Sequence, residues 1–196
     1  MEKSNASILS VTASTSLSHL RQKYAEEKLT VTVMPITDFY DYLADDPDEP
    51  AICAILCSSK PLRESKLGAF TNYIFLDFDD VSDEKNPRAF DPYLADEIRD
   101  YLVDLGASEE PIIDLSVCCD YGESRSAAIA SAILRFFDPE TKPDVKRFWD
   151  HPKYHPNPLV FRLTCEALGI SISETELARL KEINANALRK SICGNA

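Results

Sequence analysis

Apolar and polar positions follow two rhythms along this chain. Leu29-Thr-Val-Thr-Val-Met34 alternates with period two, the pattern of a strand with one buried face. Ala51-Ile-Cys-Ala-Ile-Leu-Cys57, Tyr73-Ile-Phe-Leu-Asp-Phe78 and Ile112-Ile-Asp-Leu-Ser-Val-Cys118 are short, mostly apolar runs that read as buried strands. Helical spacing fills the gaps. Ser16 to Lys28 and Asp38 to Leu43 predict short helices, the second following Pro35. Asp91-Pro92 opens a helix to Leu105 with Leu94, Ile98, Leu102 and Leu105 on one face and Gly106 as its stop. Ser126 to Phe137 is alanine-rich with apolar residues at helical intervals. Further on, Asp144 to Trp149 is a brief segment with Phe148 and Trp149 as core anchors, and Leu159 to Leu168 is a helix closed by Gly169. Ser173-Glu-Thr-Glu176 is a capping box for a last helix through Lys190, with Leu177, Leu180, Ile183 and Leu188 roughly aligned.

The remaining segments are connections. Residues 1–14 are polar, either loose or paired at a sheet edge; Asp45 to Pro50 is an acidic, solvated turn; Lys60 to Phe70 is a connector. Strands alternating with helices predict an α/β fold: a mostly parallel central sheet flanked by helices. Residues 1–28 read as an N-terminal extension and 29–196 as one domain that includes the C-terminal helices.

The stretch Cys119-Asp120-Tyr121-Gly122-Glu123-Ser124-Arg125-Ser126 lies between a predicted strand and a predicted helix. A tight loop there turns its backbone N–H groups toward the helix N-terminus, where the macrodipole favours an anion. The same field favours a thiolate at Cys119. Gly122 permits a backbone conformation that a side chain would obstruct. Arg125 offers a planar fork for two phosphate oxygens, and Ser126 is placed to hydrogen-bond the sulfur. Asp120 and Glu123 must point outward for an anion to bind.

Val117 to Ser126 resembles the signature loop of cysteine-dependent protein tyrosine phosphatases, and within them the dual-specificity-like group with bacterial and prophage members. His155-Pro-Asn-Pro-Leu-Val-Phe-Arg-Leu163 is similar to the segment that opens a late helix in that family. Together the matches span roughly residues 73 to 168, about half of the chain. The resemblance implies a protein tyrosine phosphatase-like fold and a phosphomonoester hydrolase acting through a phosphocysteine. Cys119 would be the nucleophile, Arg125 the anion clamp, and residues 120–125 the phosphate-binding loop. Asn157 would buttress that loop, besides capping its own helix ahead of Pro158. The general acid would come from the end of the strand at 73–78, with Asp80 first, Asp79 second, and Asp77 and Asp83 behind. The chain departs from the family where Cys118 replaces the histidine that usually precedes the nucleophile. That departure keeps a non-catalytic phosphate-binding protein open as an alternative. Sulfur transfer or arsenate reduction is a further one, since those enzymes also use a cysteine-to-arginine loop.

Charge narrows the partners. With 33 acidic and 21 basic residues the net charge is −12, which argues against nucleic acid or an anionic membrane. The expected partner is a phosphorylated protein or a small phosphoester. Lysines inside the loop, a mark of phosphoinositide-directed relatives, are missing. The six cysteines (53, 57, 118, 119, 165, 193) are irregularly spaced and match neither a disulfide framework nor a zinc pattern. His151 and His155 are four apart but interrupted by proline. The mechanism needs neither metal nor cofactor. The N-terminus has no apolar core of signal-peptide length and no run reaches a membrane span, so a reducing cytoplasmic location is expected. Cys118 is a candidate redox partner for Cys119, although a vicinal disulfide is strained, with Cys53 as an alternative.

Overall fold

The computed structural model describes residues 15–26, 29–45, 52–109 and 112–193. Residues 1–14 and most of the acidic turn at 45–50 lie outside the described residues. The elements run α1 (15–26), β1 (Thr30–Pro35), α2 (Ile36–Asp45), β2 (Ile52–Ser58), α3 (Glu64–Leu67), β3 (Tyr73–Asp77), α4 (Pro92–Ala107), β4 (Asp114–Cys119) and α5 (Arg125–Phe137). A π-helical turn (Val145–Trp149), α6 (Pro158–Ala167) and α7 (Glu174–Cys193) follow.

The sheet is four-stranded, ordered β1-β4-β2-β3, and every pairing is parallel. β2 is buried along its whole length, as expected for an interior strand covered on both faces. Side-chain alternation divides the core in two. Cys53, Ile55, Cys57, Leu115, Val117 and Cys119 face the larger core under α1, α4, α5 and α6. Ile52, Ala54, Leu56 and Cys118 face the smaller one, closed by Phe39, Tyr40 and Leu43 of α2.

α5 is buried throughout and runs beneath the larger face. On its far side Arg135 and Asp144, 2% and 0% exposed, form a paired contact: Arg135 Nε and Nη2 donate to the two carboxylate oxygens at 2.9 and 2.7 Å. Ser131 Oγ adds a hydrogen bond to Asp144 and accepts one from Trp149 Nε1 at 2.8 Å, tying the π-turn to α5. Phe148 and Trp149 are buried, the anchors their sequence position predicted.

Two readings of the sequence change. Gly106 does not stop α4, which continues through Ala107 to a cap at Ser108. Its bare Cα instead admits α1: a Cβ there would lie 2.0 Å from the Ser16 carbonyl oxygen. Leu20 is fully buried, and Tyr24 stacks on Phe137 at 4.5 Å, so α1 packs into the larger core. The connector after β2 also contains one helical turn, α3, whose Leu67 closes the smaller core.

Candidate active site

β4 lies between β1 and β2, and its carboxyl end delivers Cys119 to the start of α5. In open parallel sheets this edge is where ligands bind. The chain turns through residues 120–124 and enters α5 at Arg125. Gly122 makes the turn possible, with φ at +67° and a Cβ position only 2.5 Å from Pro35 N and 2.6 Å from Met34 C. A side chain there would collide with the backbone at the end of β1.

The turn brings the Gly122 N–H to 3.2 Å from Cys119 Sγ, with Ser126 Oγ 3.0 Å from the same sulfur. Cys119 is 2% exposed, at the bottom of the loop. Arg125 is buried as well. Its Nη1 donates to the Phe78 carbonyl at 2.8 Å and its Nη2 to Asp120 Oδ2 at 2.5 Å, while Nε is buried without a partner. A buried donor left unpaired costs about 1–3 kcal/mol, which an arriving oxyanion would recover.

Asp120 does not point outward. Its carboxylate bridges Arg125 and Ser58, whose Oγ donates to Oδ1 at 2.7 Å. Burial pushes its pKa up, but the Ser58 and Arg125 hydrogen bonds and the Arg125 charge outweigh it and hold the group below its ordinary value. Tyr121 is 73% exposed and Glu123 half-buried; the Glu123 carbonyl accepts the His155 N–H at 3.1 Å.

The four candidate aspartates, from the last residue of β3 onward, are sorted by their contacts. Asp77 and Asp79 are both paired with Arg88, at 2.7 and 3.0 Å. Asp83 accepts the Lys85 N–H within its own turn. Asp80 reaches the loop: its Oδ1 accepts Ser124 Oγ and Asn157 Nδ2, each at 2.9 Å. Asn157 holds that arrangement from the other side. Its Oδ1 caps α6 by accepting Leu159 N and Val160 N, and its Nδ2 also donates to the Val81 carbonyl.

Thus Cys119, Gly122, Ser124, Arg125, Ser126, Asp80 and Asn157 converge, while Asp77, Asp79 and Asp83 are held elsewhere. Ser58 was not singled out from sequence. A polar residue at the carboxyl end of an otherwise apolar strand was the available signal.

Cys118 projects to the opposite face of the sheet from Cys119, fully buried against α2. Burial raises its thiol well above the ordinary value. Cys57, rather than Cys53, is the cysteine opposite Cys119 in register, and its thiol donates to the Cys118 carbonyl at 2.9 Å. All five described cysteines are free.

No family model matches the chain, and no curated protein matches it by sequence. Among solved structures the chain is similar to PTPMT1, at 16% identity and a TM-score of 0.36, over 83% of this chain and 94% of that one. Among the described residues no helix is long and apolar enough to cross a membrane.

Proposed function

We propose that the chain is a phosphomonoester hydrolase of the cysteine-dependent type, acting on phosphotyrosine or other phosphoesters. One observation carries this reading: Cys119 Sγ sits under the Gly122 N–H and Ser126 Oγ, beside a buried arginine whose Nε has no partner. Thiolate, loop amide and guanidinium would together stabilise a tetrahedral oxyanion.

In the first step Cys119 Sγ bonds to phosphorus as the ester P–O bond breaks, and Asp80 gives its proton to the departing oxygen. Ser124 and Asn157 both bind Asp80 through Oδ1, leaving Oδ2 as the oxygen to carry that proton. Water then attacks phosphorus, the P–S bond breaks, and Asp80 takes the water proton. Ser126 donates to the departing sulfur. Asn157 positions Asp80 and the loop.

Turnover of an aryl phosphate tests the reading. Cys119→Ser should abolish it, and Asp80→Ala should lower kcat by about 10²- to 10⁴-fold. Activity surviving Cys119→Ser would defeat the mechanism. A non-catalytic oxyanion-binding protein is the second reading, favoured by the Asp120 carboxylate already seated on Arg125. It predicts tungstate binding with no product release. Thiocyanate release from thiosulfate would instead indicate sulfur transfer.

A further inference from the structure

A small cavity of about 120 Å³ opens beside the candidate loop, lined by Ile36, Thr37, Tyr40, Lys60, Leu62 and Arg63, with Ser58 and Asp120 on the side nearest Cys119. Asp120 therefore lies between Arg125, which it touches, and this cavity, which it lines. The connector after β2 is fixed at both ends by backbone contacts: the Lys60 N–H donates to Ser58 Oγ at 3.0 Å and the Arg63 N–H to Tyr40 Oη at 3.2 Å. The backbone of both residues is thereby fixed at the cavity, with their charged side chains exposed beside it.

Their charge is not committed to a salt bridge, although Lys60 adds to the field that lowers the Asp120 pKa. Neither Lys60 nor Arg63 takes part in an ion pair among the described residues, in a chain with 33 acids to 21 bases. Asp120 is the one carboxylate in the cavity lining, and it is already bound to Arg125 and Ser58. In the segment from the end of β3 onward, Asp77 and Asp79 pair with Arg88 and Glu84 with Arg162, while Asp80 and Asp83 have no ion pair among the described residues. An extra negative charge on a molecule bound at Cys119 is attracted to the two cations of the cavity.

We infer that this cavity is a subsite for a second anionic group carried by the leaving group of the substrate, with Lys60 and Arg63 as its specificity determinants. The inference rests on the phosphatase reading of the adjacent loop. A carboxylate or a second phosphoryl group meets the same chemistry, and the cavity has room for one of either. Exposed pairs of this kind are worth about two- to fivefold each, so two cations give a preference of roughly 4- to 25-fold in kcat/KM, weakening as salt is raised.

The test compares aryl phosphates bearing a meta- or para-carboxylate with the matching neutral carboxamides, and adds 1,3-phenylene bisphosphate to separate a phosphoryl group from a carboxylate. Wild-type protein should favour at least one anionic member over its neutral counterpart. The preference should vanish in Lys60→Gln/Arg63→Gln, with turnover of unsubstituted phenyl phosphate unchanged. Equal kcat/KM across the panel, or a preference that survives the double substitution, would overturn the inference. Calorimetric binding of the same compounds to Cys119→Ser keeps the two claims apart. Should the wild type prove inactive, an anion preference lost with Lys60 and Arg63 would still support the subsite, and its absence would overturn it. Binding indifferent to Arg125→Ala would instead indict the loop.

Discussion

Replacing Gly122 by alanine tests the loop geometry without assuming any activity. Two contributions follow from its position. At φ +67° an L-residue is strained by about 1–2 kcal/mol. The new methyl would also lie 2.5 Å from Pro35 N and 2.6 Å from Met34 C, both backbone atoms of β1 that cannot rotate aside. Overpacking of this kind costs about 1–3 kcal/mol. The sum, roughly 2–5 kcal/mol, corresponds to a fall in Tm of about 4–20 °C for a chain of this size. Gly169→Ala is the internal control: φ is +77°, but no atom lies within 4 Å of the added Cβ, so only the conformational share applies, about 2–8 °C. The two variants differ in a second way. Relief of the Gly122 clash must lift the loop from β1 and withdraw the Gly122 N–H from Cys119 Sγ. Scanning calorimetry should therefore show Gly122→Ala as the less stable, and peptide-resolved alkylation should show a changed rate at Cys119 in that variant alone. If Gly122→Ala melts with Gly169→Ala and alkylates at the wild-type rate, the packing of this loop against β1 is wrong.

Asp144→Asn should destabilise the protein by about 3–5 kcal/mol in urea denaturation, because it leaves the Arg135 charge buried with Glu176 as its one ionic partner among the described residues. Asp120→Asn should narrow its stability deficit against wild type as pH falls. The Asp120 carboxylate is held below its ordinary pKa, so its contribution is complete above about pH 4 and lost as pH drops through the lower folded value. Acid titration of Tm checks the sign; a deficit that widens with acid would contradict it.

The fold was readable wherever a single element carries its own signal. The apolar run at 51–57 reads as a buried strand, and Asp91-Pro92 announces α4 by cap chemistry that the structure reproduces, with Asp91 accepting Leu94 N. Gly106 was misread because a glycine late in a helical pattern looks the same whether it ends the helix or makes room for another element. Only the position of α1 distinguishes these cases, and that is a tertiary fact. The site shows the same division. Convergence of Cys119, Gly122 and Arg125 follows from spacing within one strand-turn-helix unit. The choice among four aspartates does not, because it depends on Arg88 claiming Asp77 and Asp79 from eleven and nine residues away. The inward turn of Asp120 was equally hidden, since its partner Ser58 lies 62 residues earlier on a neighbouring strand.

Asn157 shows how far stability and the proposed chemistry are joined. Its oxygen caps α6 and its amide nitrogen binds Asp80, so one planar group fixes the helix and the candidate acid together. Asn157→Asp keeps the accepting oxygen and removes the donor; Asn157→Ala removes both. The cap should therefore survive in the first variant and be lost in the second, at about 1 kcal/mol. The Asp80 contact should fail in both, and in Asn157→Asp a second carboxylate is left facing the first. Loss of turnover should then be at least as large in Asn157→Asp as in Asn157→Ala, although Asn157→Asp is the more stable. Thermal melts beside kcat would establish that inverted order. Activity that instead tracked stability across the two variants would mean that Asn157 serves α6 alone, and that Asp80 is positioned by Ser124 without its help.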